Sequence, residues 1–149
     1  MTAGVPARLT LRSATLSDAA AIAALNGELG YPTTAGEMAP RLASLLDVSG
    51  QAVLVAADDG GVIAWVQVSV VATIESGAFA EVRGLVVTAA HRSRGIGARL
   101  VEAAEGWARE RGLTRIRVRS NVNRERTHAF YERLGYRTAK SQKVFDKRF

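Results

Sequence analysis

The chain has no cysteine and, in 149 residues, two histidines. The lack of cysteine excludes a disulfide framework, a thiolate metal site and a covalent cysteine nucleophile. His91 and His128 stand 37 positions apart without metal-ligand spacing, so no zinc site is expected. Long apolar runs are missing too. The stretch "MTAGVPARLTLRS" has none, and "AAAIAAL" is cut off by "NGE" well short of the roughly 20 residues a bilayer needs. No membrane partner is expected, and a cytoplasmic location follows by default. Positive charge is scarce in the first half: residues 1–82 carry three arginines against eight acids, net −5, whereas residues 83–149 carry 17 Lys/Arg against six acids, net +11.

What is present fits one domain, residues 1–149, with 48% hydrophobic and 23% charged residues, a composition too apolar for a disordered chain. The basic half asks for an anionic partner, either a nucleic-acid surface or a small polyphosphate.

The elements read in order. "RLTLRSA" alternates as a first strand, and Ile22, Leu25 and Leu29 fall at helical spacing until Gly30-Tyr31-Pro32. Thr34 and Glu37 form a capping-box pattern ahead of a helix whose apolar stripe is Met38, Leu42, Leu45 and Leu46. "AVLVAADDGGVIAWVQVSV" is a hairpin around Asp58-Asp59-Gly60-Gly61, and "AEVRGLVVT" is a fourth strand. Ile96, Leu100, Ala104 and Trp107 set out a helix stopped by Gly112. "TRIRVRS" is a fifth strand, "RERTHAFYERL" a last helix closed by Gly135, and "YRTAKSQKVFDKRF" a closing pair of strands. A strand-helix-strand unit beside a hairpin implies an α/β protein with a mixed sheet and helices on both faces.

Between the fourth strand and the next helix lies "HRSRGIG", His91 to Gly97. Glycines at 95 and 97 would expose the first amides of a helix at the positive end of its dipole, which suits a phosphate, and Arg92 and Arg94 add charge. There is no G-x-x-x-x-G-K-[ST], and the third glycine of a dinucleotide fingerprint is absent. The pattern is R-x-x-G-x-G.

With that loop in "LVVTAAHRSRGIGARLVEAAEGWA", the element order and "NRERTHAFYERLGY", the chain resembles the GNAT-fold N-acetyltransferases, which use acetyl-coenzyme A, over nearly its whole length. The resemblance implies a mostly antiparallel mixed sheet whose parallel fourth and fifth strands splay. It also implies that Arg92, Ser93, Arg94, Gly95, Ile96, Gly97 and Ala98 bind the cofactor pyrophosphate. Leu85, Val86 and Val87 would pair through their backbone with the pantetheine arm, as a sheet edge can, with Gly84 easing a bulge just before them. The family's pantetheine asparagine would fall at position 124, which is arginine here; two alternatives stay open, Asn123 in that part by a one-residue shift, with Asn121 nearby, or Arg124 reaching the cofactor phosphates.

Acetyl transfer to an amine needs a neutral amine, a stabilised oxyanion and a protonated leaving thiol. By position in the family pattern Glu81 is a candidate base, direct or through water; the other reading is a strand-edge residue paired with one of the neighbouring arginines. Tyr131, in "FYERLGY", is the candidate acid that protonates the thiolate. His128 reads as structural and His91 as a surface residue.

The acceptor is expected to be a small amine or peptide, with Glu28, Glu37, Glu75 and Glu81 as candidates to favour a cationic one and Tyr31-Pro32 as an aromatic wall. No nucleic-acid partner is expected, because helix-turn-helix, finger and aromatic RNA-binding signatures are lacking. A homodimer stays open. The competing readings are a coenzyme A-binding sensor and a basic regulatory or nucleic-acid-binding module.

Overall fold

A computed structural model describes residues 8–120 and 122–149; residues 1–7, within the N-terminal stretch considered above, and Asn121 lie outside the described residues. The chain forms two compact units, one ending at Val118 and one spanning Arg119–Phe149.

The first unit is a five-stranded sheet in the order β1-β2-β3-β4-β5. Its strands are β1 (Thr10–Ser13), β2 (Gln51–Asp58), β3 (Gly61–Thr73), β4 (Gly77–Val87) and β5 (Ile116–Val118). The first four pair antiparallel, and β5 lies parallel to β4. The turn between β2 and β3 forms where glycine and aspartate demand it: Gly61 has φ +117° and the Asp58 side chain accepts from the Gly60 amide at 2.8 Å.

Two apolar layers sandwich the sheet. On one face α1 (Ala19–Glu28) and α2 (Ala35–Asp47) bury Ile22, Leu25, Met38 and Leu42 against Val53, Val55, Trp65 and Val86. On the other, α3 (Ile96–Glu110) buries Ile96, Leu100 and Ala104 against Val66, Val68, Ala80 and Val82. Alternation along β3 sends Trp65 to one layer and Val66 to the other, as the two-residue period of a strand requires.

The Thr34 capping box forms as expected: its hydroxyl accepts from the Glu37 amide at 3.1 Å, and Glu37 accepts from the Thr34 amide at 3.3 Å. These bonds hold the Glu37 carboxyl below its ordinary range. Leu46 departs from the expected stripe and is 40% exposed, because the buried face of α2 runs through Met38, Leu42 and the half-buried Leu45. Before α1, Asp18 is clamped by Arg12 through two hydrogen bonds of 2.8 and 2.9 Å, and by the Thr15 amide at 2.8 Å.

The second unit contains α4 (Glu125–Arg133), closed by Gly135 at φ +93°. Residues 136–149, expected as two strands, form none, and Val144, Phe145 and Phe149 are 83–113% exposed. Apolar-polar alternation supplies propensity, but a strand exists only where a neighbour takes its backbone hydrogen bonds.

Candidate active site

The β4 strand is built for a break in pairing. Gln67 of β3 faces Gly84 while the next residue, Val68, faces Val82, so Arg83 is the extra residue of a β-bulge. Bulge and glycine meet as expected. The reason for glycine at 84 is space: a Cβ there would stand 2.8 Å from Cη2 and 2.9 Å from Cζ3 of Trp65.

On its other side β4 pairs with β5 at Ala80, Glu81 and Val82 alone. Beyond the bulge, Arg83 to Val87 run on along β3 without β5 beside them. Val86 is buried and Leu85 and Val87 pack into the α3 layer, so it is the backbone of this stretch that faces the side β5 leaves unpaired. An extended amide-bearing ligand fits such an edge.

The loop continues from that edge. After a 3-10 turn at Ala89–His91, Ser93 takes φ +64° and Gly95, the residue capping α3, sits left-handed at φ +79°. Such a φ at a non-glycine residue is uncommon and sharpens the bend. Arg99 is the first residue of α3 to donate back to the loop, to the Gly95 carbonyl at 3.1 Å. The amides of Ile96, Gly97 and Ala98 therefore have no partner inside the helix, an arrangement suited to an anion.

The loop arginines have unequal duties. Arg92 donates from Nε to the Val87 carbonyl at 3.1 Å and lies 3.9 Å from Glu28, so it ties the loop to the end of β4. Glu28 also accepts from the Ala89 amide at 2.9 Å and the Thr88 hydroxyl at 3.0 Å, fixing the loop to α1. Arg94 leans on His91 at 3.3 Å, whose other ring nitrogen is 3.7 Å from Asp58. His91 thus anchors the loop to the hairpin.

Glu81 is 1% exposed. One of its oxygens is bonded by Arg83, the bulge residue, and the other lies 3.6 Å from Arg117 Nε, an ion-pair distance beyond a hydrogen bond. Arg117 faces Glu81 in the β4–β5 register and rests its guanidinium 4.3 Å above the Phe79 ring. A carboxylate between two guanidiniums thus sits beside the last paired position, where the strands part.

Between α1, α2 and the sheet lies a cavity of about 170 Å³. Ile22 and Asn26 of α1 and Met38, Arg41, Leu42 and Leu45 of α2 form its walls; Val53, Trp65 and Gln67 form its floor. None of the four expected acceptor-site acids is among these residues. Glu28 holds the loop, Glu37 caps α2, Glu75 is exposed in the β3–β4 turn and Glu81 is held by arginines. Tyr31 is 63% exposed. Neither the cavity nor the Trp65–Gly84 contact was readable in the sequence; each depends on strand register.

In the second unit, Tyr131 is buried on α4, edge-on to Phe130 and Tyr136 at centroid distances of 5.0 and 5.5 Å. Burial pushes its phenol up to about 12. The proton is therefore held firmly at neutral pH. Asn123 and Arg124 line a shallow hollow at the start of α4, and His128 is half-buried on the same helix.

Among the described residues no group of acids and histidines could hold a metal ion, and no helix is long and apolar enough to cross a membrane.

Residues 19–136 match the profile of the acetyltransferase (GNAT) family. The chain is 35% identical over 65 residues to an uncharacterised N-acetyltransferase of Bacillus subtilis strain 168; the match spans 43% of this chain and 46% of that protein. Among solved structures it resembles an aminoglycoside 6'-N-acetyltransferase of Acinetobacter baumannii, with a TM-score of 0.83, 21% identity, and coverage of 95% of this chain and 99% of the other. A second aminoglycoside N-acetyltransferase, solved in complex with CoA, gives a TM-score of 0.84 at 18% identity, with coverage of 97% and 99%. At these identities the solved structures share the fold.

Proposed function

The chain belongs to the acetyltransferase (GNAT) family, and from that premise we propose that it moves an acetyl group from acetyl-coenzyme A to the amine of a small molecule or peptide by direct transfer. The observation that carries the proposal is the continuity of two features: the β4 edge left by β5 after Val82, and the glycine-capped start of α3.

The donor supplies the acetyl group already activated as a thioester. The chain's own residues bind and orient it. The unpartnered amides of Ile96, Gly97 and Ala98, with the loop from Arg92, would hold the pyrophosphate, and the backbone of Leu85, Val86 and Val87 would pair with the pantetheine amides. In the second unit, Asn123 is a further candidate contact by its place in the family pattern.

Glu81 is proposed as the base, acting through water. Both of its oxygens already face guanidinium groups, and a relayed proton leaves those pairs intact, as general-base catalysis across one water allows. Tyr131 is proposed as the acid by its place in the family pattern. A phenol raised to about 12 gives up its proton only when charge develops on the sulfur, so it acts in the transition state.

The test is binding. A ligand that binds only the folded state stabilises by RT ln(1 + [L]/Kd), about 2.7 kcal/mol at a hundredfold excess over Kd. Acetyl-coenzyme A is expected to raise the melting temperature accordingly; an unchanged melting curve at millimolar concentration would remove the proposal.

A further inference from the structure

The cavity under α1 and α2 lies one strand away from the β4 edge. Its floor residues Gln67 and Trp65 face Gly84 and Val86 in the β3–β4 register, and neighbouring strands are about 4.8 Å apart. Trp65 joins the two, because the same indole that floors the cavity covers Gly84 at the bulge. A group seated there is beside the reacting end of a donor lying along β4. Its lining then describes the acceptor.

Six of the nine lining residues are aliphatic side chains, methionine or tryptophan, and no carboxylate is among them. The polar members are largely committed. Asn26 gives its amide nitrogen to the Tyr31 carbonyl and the Thr33 hydroxyl, at 3.0 and 2.7 Å, and Gln67 gives its own to Gln51 at 3.3 Å. The one formal charge is that of Arg41, exposed on α2. Its neighbour one turn earlier, Glu37, has its carboxylate bonded by the Thr34 amide and hydroxyl and also feels the Arg41 charge, but it does not line the cavity.

A polycation placed here would lose water, find no acid and meet a like charge, which is costly in a partly enclosed site. An apolar group carries no such desolvation or charge penalty. A cavity of roughly 150 Å³ with apolar walls takes a benzene-sized guest, and this one is about 170 Å³.

We propose that the acceptor amine carries one benzene-sized apolar arm that fills this cavity, bears no second positive charge, and places any carboxylate at Arg41. This deepens the acetyltransferase reading and rests on it. It also separates the chain's acceptor from the polyamine and aminoglycoside class to which an acidic site would have pointed.

The experiment compares phenylalanine, 2-phenylethylamine, glycine, spermidine and kanamycin as acceptors for the full chain, read as acetylated product by mass and as saturation of the coenzyme A-loaded protein by calorimetry. The two aromatic amines are expected to exceed spermidine, kanamycin and glycine in kcat/KM by at least tenfold. Leu45→Trp, which fills the cavity from a half-buried position, should abolish that advantage while acetyl-coenzyme A still binds. Arg41→Glu, at an exposed site, should lower kcat/KM for phenylalanine at least tenfold and that for 2-phenylethylamine less than threefold. Spermidine or kanamycin turned over as well as the aromatic amines would overturn the proposal and leave the acetyltransferase reading standing. So would a coenzyme A-loaded protein that millimolar 2-phenylethylamine does not occupy. A chain that binds no acetyl-coenzyme A and acetylates none of the five would overturn both.

Discussion

Trp65 lies across Gly84, so close that the smallest side chain at 84 would enter its ring. Trp65 is 8% exposed and packed under α1 and α2, so it has little room to withdraw. Gly84→Ala is therefore expected to cost about 1–3 kcal/mol, the usual penalty of overpacking. Chemical denaturation measures it. Trp65→Phe in the same chain should recover part of the loss, because the atoms met first belong to the six-membered ring that phenylalanine does not extend so far. Additive losses in the double variant would show that the contact is not the cause.

Gly97 stands in the first turn of α3, among amides with no partner inside the helix. Valine there places a branched side chain beside the anion site, while its helix propensity is no worse than that of glycine. Gly97→Val is expected to weaken acetyl-coenzyme A at least tenfold, about 1.4 kcal/mol, with a melting temperature close to that of the parent. Calorimetric titration beside a melting curve separates the two effects; unchanged affinity would remove the loop from the phosphate site.

Asp18 has a carboxyl held at about 2, from an ordinary 3.8, chiefly by the Arg12 hydrogen bonds. A depressed folded-state pKa contributes stability that is present above the unfolded value and is lost as pH falls through the folded one. The window is thus from about pH 4 down to about 2. Arg12 is partly exposed, so screening reduces the contribution to about 1–2 kcal/mol. Asp18→Asn is expected to lose that amount at pH 7, and its deficit against the parent to close as pH falls across the window, as acid-unfolding curves of the two would show.

Tyr131 is raised to about 12 by burial. Its phenol remains protonated across neutral and mildly alkaline pH, so the alkaline limb of kcat that an ordinary phenol would place near ~10 should move to about 12. Tyr131→Phe keeps the ring packed beside Phe130 and Tyr136 and removes the proton. With general acid catalysis contributing typically 10²–10⁴-fold, kcat should fall at least tenfold while acetyl-coenzyme A affinity holds. A parental kcat in the variant would leave solvent as the proton donor.

What the sequence disclosed was local. The Asp58–Gly61 turn, the Thr34–Glu37 box and the glycines around the α3 cap are each encoded within a few residues, where one backbone conformation or one hydrogen bond decides the outcome. The parallel β4–β5 pair followed from its helical crossover. What depended on register was hidden: that Arg83 is the bulged residue, which two arginines pair with Glu81, and that Trp65 meets Gly84. The acids of the first half looked like a cationic-acceptor site because charge was counted along the chain. In space Glu28 ties down the loop and Glu37 caps a helix. The alternating tail after Tyr136 misled for the complementary reason, since alternation without a partner strand leaves Val144 and Phe145 in solvent.

The central claim is transfer from acetyl-coenzyme A to an amine, and the most direct measurement follows both products at once. The chain is mixed with acetyl-coenzyme A and an amine panel, free thiol is titrated, and the amines are weighed by mass spectrometry. The expected result is one acetyl group gained by an amine for each thiol released, with both signals at least tenfold slower in Tyr131→Phe. Thiol release with no acetylated amine, or a cofactor that binds while neither product forms, would contradict it.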